Sequence, residues 1–413
     1  MSGPLYCRAH DTVVVSLQRI NSDQGIPMQF EFATASRIIF KNGAAQEIPA
    51  LAAQFGQRIC LVTGSDPKRT QWLADAMPLP PLVISAGGEP DTDFITTAAD
   101  KARAHGSEVV VAIGGGSVMD TGKVIAALIT NTDDLFDYLE VIGKGKPLLN
   151  KPVPLITAPT TSGTGSEVTA NGVLQSKNHG VKVSLRSREM IPNIAVVDPE
   201  LTMTMPPAVT ASTGMDALTQ LMEAYVSNKA NPMTDSLCRE GMMRAATSLH
   251  AACEDGSNMA AREDMAIASL FSGIALANAK LGAVHGFAAP LGGEFKAPHG
   301  MLCACLLPHV MKANIQALRQ RAPDSHALFG YTEIAVILTG DVTATPEDGA
   351  EWIQDLCQEI AIPTLSELGV IPEAFENMAD KAAQASSMQG NPIELTKEEL
   401  IQILVAASQP TSR

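Results

Sequence analysis

Aromatic side chains are scarce in this chain: 4% of its 413 residues are Phe, Trp or Tyr. Basic residues are outnumbered, 29 Lys and Arg against 44 Asp and Glu, for a formal net charge of -15. So acidic a balance excludes nucleic acid as a partner, because binding a phosphate backbone needs a basic surface. The seven cysteines (Cys7, Cys60, Cys238, Cys253, Cys303, Cys305, Cys357) include no Cys-x-x-Cys pair, which removes zinc ribbons and thioredoxin-type motifs. They read as free thiols of a reducing cytosol, with Cys303-x-Cys305 as core packing. No apolar run reaches the ~18 residues of a membrane span; the best, 109–130, is broken by Asp120 and Lys123. Residues 1–27 carry Arg8, His10, Asp11, Arg19 and Asp23 without a sustained hydrophobic segment, and read as a loose extension, not a signal peptide. A cytoplasmic location away from membranes is expected.

What is present is ordinary for a folded enzyme-sized chain: 46% hydrophobic and 18% charged residues, enough for two domains and a large core. Short apolar runs at 58–63 (RICLVT), 81–85 (PLVIS) and 108–113 (EVVVAI) alternate with an alanine-rich helical segment over 93–105 closed by Gly106. Further strands are read at 153–156 and 193–198, and FEFATASRIIF from Phe30 has strand character; 44–55 reads as a short helix. The alternation predicts βαβ units and a parallel sheet. Directly after the third run stand Gly114, Gly115, Gly116 and Ser117, followed by a helix over 118–129. Glycines let a pyrophosphate approach the backbone, and the helix start supplies free N–H groups and the positive end of its dipole. A plain tight turn is the competing reading. A second small-residue segment, Pro159 to Glu167, interleaves four hydroxyls with two glycines after the 153–156 strand. It can wrap a ligand with donors or be a simple turn.

Pro199, Pro206 and Pro207 break the chain, and the boundary is placed there: a dinucleotide-binding α/β domain at 28–199 and an all-helical metal and substrate domain at 200–413. Helical periods cover 208–227, 232–254 and 259–279, with more to residue 407. The cleft between the halves is the expected site. In the second half Asp216 and Gln220 are four residues apart and share a helical face. The segment 282–300, GAVHGFAAPLGGEFKAPHG, sets His285 and His299 among small residues. Each histidine alone reads as buried and hydrogen-bonded; together with Asp216 they make an oxygen and nitrogen donor set suited to a divalent transition metal.

Five stretches, GGGSVMDTGK (114–123), PTTSGTGSEVT (159–169), NIAVVDPEL (193–201), GMDALTQLMEAYVS (214–227) and the 282–300 segment, resemble the iron-containing (group III) alcohol dehydrogenase family in order and spacing. This family also includes dehydroquinate synthase-like and glycerol dehydrogenase relatives. The resemblance runs from about Phe30 to the C-terminus. It implies a dehydroquinate synthase-like fold, an α/β nucleotide-binding domain with a parallel sheet followed by an all-α domain. It also implies hydride transfer between NAD or NADP and a small alcohol or aldehyde, at a divalent metal (Fe2+ or Zn2+), in a homo-oligomer of dimer size or larger.

Residue by residue, the resemblance implies cofactor contacts at Gly115, Gly116, Ser117, Thr160, Thr161, Thr164 and Lys182. It places Asp216, His285 and His299 where the family holds its metal with one aspartate and three histidines in all. Asp120 and Lys123 read mainly as a structural ion pair. The family's first metal histidine is Gln220 here, a weaker oxygen donor, and the histidine four residues after His285 is Ala289. Where many members place an aspartate on the adenosine ribose, this chain has Gly64. That leaves room for NADP(H), with Ser65, Lys68 or Arg69 as phosphate partners; Asp66 on the ribose would instead keep NAD. Rival readings are a metal-independent reductase of the maleylacetate reductase kind, a dehydroquinate synthase-like lyase, and a non-catalytic nucleotide-binding protein.

Overall fold

A computed structural model describes residues 29–410; the loose extension expected over 1–27, and Cys7 with it, lie outside the described residues. The strands are β1 (Arg37–Phe40), β2 (Ile59–Thr63), β3 (Leu82–Ser85), β4 (Val109–Gly114), β5 (Leu155–Pro159), β6 (Asn171–Ser176), β7 (Val181–Arg186) and β8 (Ile194–Val197). Six of them form one sheet in the order β1-β8-β5-β4-β2-β3, and every pairing in it is parallel. The central strands are apolar throughout because both faces are covered. Ile59, Leu61, Val109, Val111, Ile113 and Ile156 pack on one side, and Cys60, Val62, Val110, Ala112 and Leu155 on the other.

The helices α1 (Ile48–Ala52), α2 (Gln71–Asp75), α3 (Thr92–His105), α4 (Gly116–Thr130) and α5 (Leu135–Tyr138) accompany the strands. Helix α3 starts where Asp91 accepts from the Phe94 N–H and stops at Gly106 in the left-handed conformation, the usual acidic N-cap and glycine stop. The sheet order places a switch point where the chain matters most. From β2 it moves outward to β3, then crosses back through α3 to β4 on the other flank of β2. Thr63 and Ile113 are partners, as are Gly114 and Pro159. The carboxyl ends of β2, β4 and β5 therefore lie side by side, the position at which open α/β sheets bind ligands.

From Pro207 onward the chain is helical: α6 (Pro207–Val226), α7 (Pro232–Glu254), α8 (Met259–Ala279), α9 (Ala283–Phe295), α10 (His299–Arg321), α11 (His326–Thr339), α12 (Pro346–Glu359), α13 (Phe375–Gln384) and α14 (Lys397–Ala407). Proline stands at the first helical position of α6, α7 and α12, where a missing N–H costs nothing. One large core joins these helices. Helix α10 has the length and apolarity of a membrane span, but 72% of that stretch is buried inside the protein.

Two expectations change. FEFATASRIIF is strand only over Arg37–Phe40, at the sheet edge beside β8. An antiparallel hairpin, β6 with β7, stands where no strand was read. In β6 the buried Gly172, Leu174 and Ser176 alternate with the half-buried Asn171, Val173 and Gln175, so no continuous apolar run marks the strand.

Candidate metal and nucleotide site

Three helices bring the histidine segment and Asp216 together. Asp216 lies two and a half turns into α6, buried to 2%. The chain bends by 100° between α8 and α9, and His285 then stands in the first turn of α9. His299 opens α10, directly after Pro298. The result is a tight cluster: His285 Nε2 lies 3.3 Å from Asp216 Oδ1, and His299 Nε2 3.7 Å from the same oxygen.

Sequence reasoning missed two members. Cys303, one turn after His299 on α10, places Sγ 3.8 Å from His285 Nε2 and 3.7 Å from His299 Nε2. Cys303 and Cys305 both lie in the helical core as expected, Cys305 with its thiol pushed well up by burial, but Cys303 also faces the two histidines. Together Asp216, His285, His299 and Cys303 offer one donor atom each, all within 4.8 Å of one another. The second omission is Glu223, two turns after Asp216 on the same buried helix face. His285 Nδ1 donates to Glu223 Oε2 at 2.6 Å, and the Val284 N–H donates to Glu223 Oε1 at 2.7 Å. Glu223 thereby fixes the imidazole so that Nε2 faces the cluster, and it serves a free N–H at the α9 start, which has no local side-chain cap.

Electrostatics follow from this packing. Burial alone would raise the Asp216 carboxyl, but the His299 and His285 imidazoles outweigh it and lower its pKa. Burial also works against a charged His285, yet Cys303, Glu223 and the bond to Asp216 hold its pKa well above 6.5. His299 is raised chiefly by Cys303, against burial. Two imidazoles whose pKa values are raised by the acidic groups around them favour positive charge at this point, as a cation site does. The donor chemistry fits a divalent transition metal: carboxylate, two imidazoles and sulfur, converging and mostly buried. Gln220 is buried on the same helix, one turn from Asp216, and its amide oxygen accepts from the Ser272 hydroxyl at 3.0 Å. The open side lies at His299, 41% exposed in its side chain, and at Ala289, which is exposed one turn beyond His285.

The candidate nucleotide loops gather at the switch point. Gly115 is the N-cap of α4, so Gly116 and Ser117 form its first turn. The Thr160 N–H donates to Gly114 O at 2.9 Å, tying the second loop to the first. A Cβ on Gly116 would fall 2.9 Å from Thr164 Cγ2, and one on Gly115 3.6 Å from Thr161 Cγ2. Gly64 follows β2 with no atom within 4 Å of where its Cβ would be. Ser65 and Lys68 are exposed. Asp66 is engaged as the cap that accepts from the Lys68 N–H, and Arg69 donates to Thr204 at 2.6 Å.

The second loop also reaches the helical half. Gly165, with φ +59°, lies so close to α8 that a Cβ there would meet Gly273 Cα at 2.3 Å; only glycine satisfies both conditions. Lys182 on β7 pairs with Glu89, and its Nζ stands 3.6 Å from where a Cβ on Gly292 of α9 would be. Asp120 and Lys123 are the structural pair expected, extended into a hub. The fully buried Lys123 ammonium donates to Ser166, Thr169 and the Asn171 carbonyl at 2.6–2.8 Å, and Asp120 accepts from Ser166 and the Val173 N–H.

Comparison with known proteins agrees with this architecture. The iron-containing alcohol dehydrogenase family matches residues 35–199, and the C-terminal part of the Fe-containing alcohol dehydrogenase family matches residues 210–408. Alcohol dehydrogenase 4 of Saccharomyces cerevisiae is 38% identical over 319 residues, 77% of this chain and 80% of that protein. The 1,3-propanediol dehydrogenase of Klebsiella pneumoniae is 38% identical over 72% of this chain and 75% of its own length. The structure of sulfoacetaldehyde reductase from Bifidobacterium kashiwanohense in complex with NAD+ superposes with a TM-score of 0.83 at 30% identity, covering 93% of this chain and 100% of that one.

Proposed function

Because the chain belongs to the iron-containing alcohol dehydrogenase family, and so is an alcohol dehydrogenase or aldehyde reductase, we propose that it uses NADP(H) in preference to NAD(H). Its substrate in this reading is a small alcohol or aldehyde, held at a divalent-cation site formed by Asp216, His285 and His299, beside Gln220, whose amide oxygen is engaged by Ser272. The convergence of the first three side chains from α6, α9 and α10 is the observation that carries the reading. When bound, a divalent cation polarises a carbonyl oxygen and a reduced nicotinamide supplies the hydride.

The chain's own residues do the rest. Asp216 and the imidazoles of His285 and His299 supply the donors, and Glu223 holds the His285 ring in the tautomer that leaves Nε2 free. Gly115, Gly116 and Ser117 offer the N–H groups of a helix start to a pyrophosphate, with Thr160, Thr161 and Thr164 closing over it. Lys182 reaches from the hairpin toward Gly292 of α9 and is assigned to the nicotinamide ribose. With alanine at 289, no side chain one turn from His285 can relay a proton, so the alcohol proton comes through water or the cofactor ribose. The NADP(H) assignment is supported by Gly64, which has open space and no carboxylate, and by Asp66, whose carboxylate is already engaged as a cap. Ser65 and Lys68 are the partners assigned to the extra phosphate.

The domain division at 199/200, a cytoplasmic location and a homo-oligomer complete the proposal. Strand β1 sits at an edge of the sheet, where a second copy can pair. A panel of small aldehydes and alcohols, run with NADH and NADPH on wild type, Asp216→Ala and His285→Ala, tests the reading. Turnover and bound metal should fall together in both variants. Variants that keep both would sink it.

A further inference from the structure

We propose that the sulfur of Cys303 is the fourth protein donor of the cation site, making an Asp216, His285, His299, Cys303 cage that selects zinc over iron(II). This rests on the cation-dependent reading above. The first support is geometric. A tetrahedral ion with bonds of about 2.0–2.3 Å sets its donor atoms about 3.3–3.7 Å apart. The observed separations are 3.3 and 3.7 Å from Asp216 Oδ1 to the two imidazole nitrogens, and 3.8 and 3.7 Å from Cys303 Sγ to the same nitrogens. The sulfur is thus at ligand spacing from both histidines, and all four donors share one small volume.

The second support is the state of the alternative donor. Gln220 stands on the Asp216 face of α6, but its amide oxygen is engaged by Ser272 at 3.0 Å. Cys303 follows His299 by one turn of α10, so both present their donors on one helix face. The sulfur holds the cation as a thiolate. A thiolate is a soft donor; added to two imidazoles and a carboxylate it moves the preference from iron(II) toward zinc.

The full-length protein, stripped by chelation and loaded with Co2+ alone, provides the test. Wild type should bind cobalt and show a thiolate-to-cobalt charge-transfer band in the near ultraviolet. Cys303→Ser should bind cobalt with that band lost, and Gln220→Ala should keep it. In wild type, cobalt should also protect Cys303 from alkylation, read by peptide mass spectrometry; this holds the test open even if the serine variant does not fold. In competition, zinc should displace iron(II) from wild type, and that preference should narrow in Cys303→Ser. Cobalt bound without the band, a band that survives Cys303→Ser, or unprotected alkylation would overturn the Cys303 assignment alone. No cobalt binding by wild type would overturn it together with the reading beneath it.

Discussion

The Glu223 carboxylate accepts a hydrogen bond from the His285 Nδ1–H at 2.6 Å while its other oxygen accepts from the Val284 N–H. One side chain on α6 therefore sets both the ring orientation and the start of α9. Glu223→Gln keeps the shape and removes the charge. Cation affinity should fall about 10- to 100-fold, measured by competition with a coloured chelator, while the far-ultraviolet circular dichroism stays as in wild type.

The raised pKa values of His285 and His299 have a sign that can be checked. Each folded-state value lies above the unfolded 6.5. In cation-free protein their stabilisation is therefore fully present below about pH 6.5 and is lost as pH rises through the folded values. A bound cation replaces those protons, so loading should release protons and apparent affinity should increase with pH. Melting temperatures of stripped and loaded protein should diverge as pH rises from 6.5. Parallel curves would contradict the cluster's electrostatics.

Glu167 offers a second pH test outside the cluster. Burial pushes its carboxyl from 4.5 up to about 7, and its Oε2 has no hydrogen-bond partner. The folded protein holds this proton longer than the unfolded chain, so stability falls as pH rises from about 4.5 to about 7 and is lower thereafter. Glu167→Gln should remove that slope and stabilise the protein at pH 8 by about 3 kcal/mol. Urea unfolding of both proteins at pH 4.5 and pH 8 decides it.

A Cβ on Gly116 would press on Thr164 at 2.9 Å. Gly116→Ala forces the two nucleotide loops apart at a cost of about 1–3 kcal/mol. NADPH binding, followed by fluorescence, should weaken by about tenfold or more, with cation content unchanged. An unaltered dissociation constant would place the nucleotide elsewhere.

Much of this was readable from residues alone because the relevant signals are local. The β2 and β4 runs are β-branched, short and followed by glycine or a helix start, and all the nucleotide-loop residues named from the sequence meet at the switch point. The hairpin is hidden in the sequence because β7 alternates apolar with polar residues and β6 has only Val173 and Leu174 as large apolar residues, so neither carries a long apolar run. Cys303 reads as packing from the sequence because it stands in an apolar stretch, LCACLLP; its approach to the histidines depends on α10 lying against His285, 18 residues away. Glu223 shares the Asp216 face, which spacing could have revealed. Its partner His285 is 62 residues distant, a pairing that only the α8–α9 bend creates. Gln220 was visible as a buried neighbour of Asp216, but the Ser272 hydroxyl that engages it comes from another helix.

The most direct measurement is aldehyde reduction against cation content in one preparation. Protein stripped by chelation is titrated with zinc, and NADPH-dependent turnover is plotted against bound metal per chain. The account predicts no turnover in stripped protein, a linear rise to a plateau at one cation per chain, and no recovery in Asp216→Ala. Full turnover in metal-free protein would contradict it.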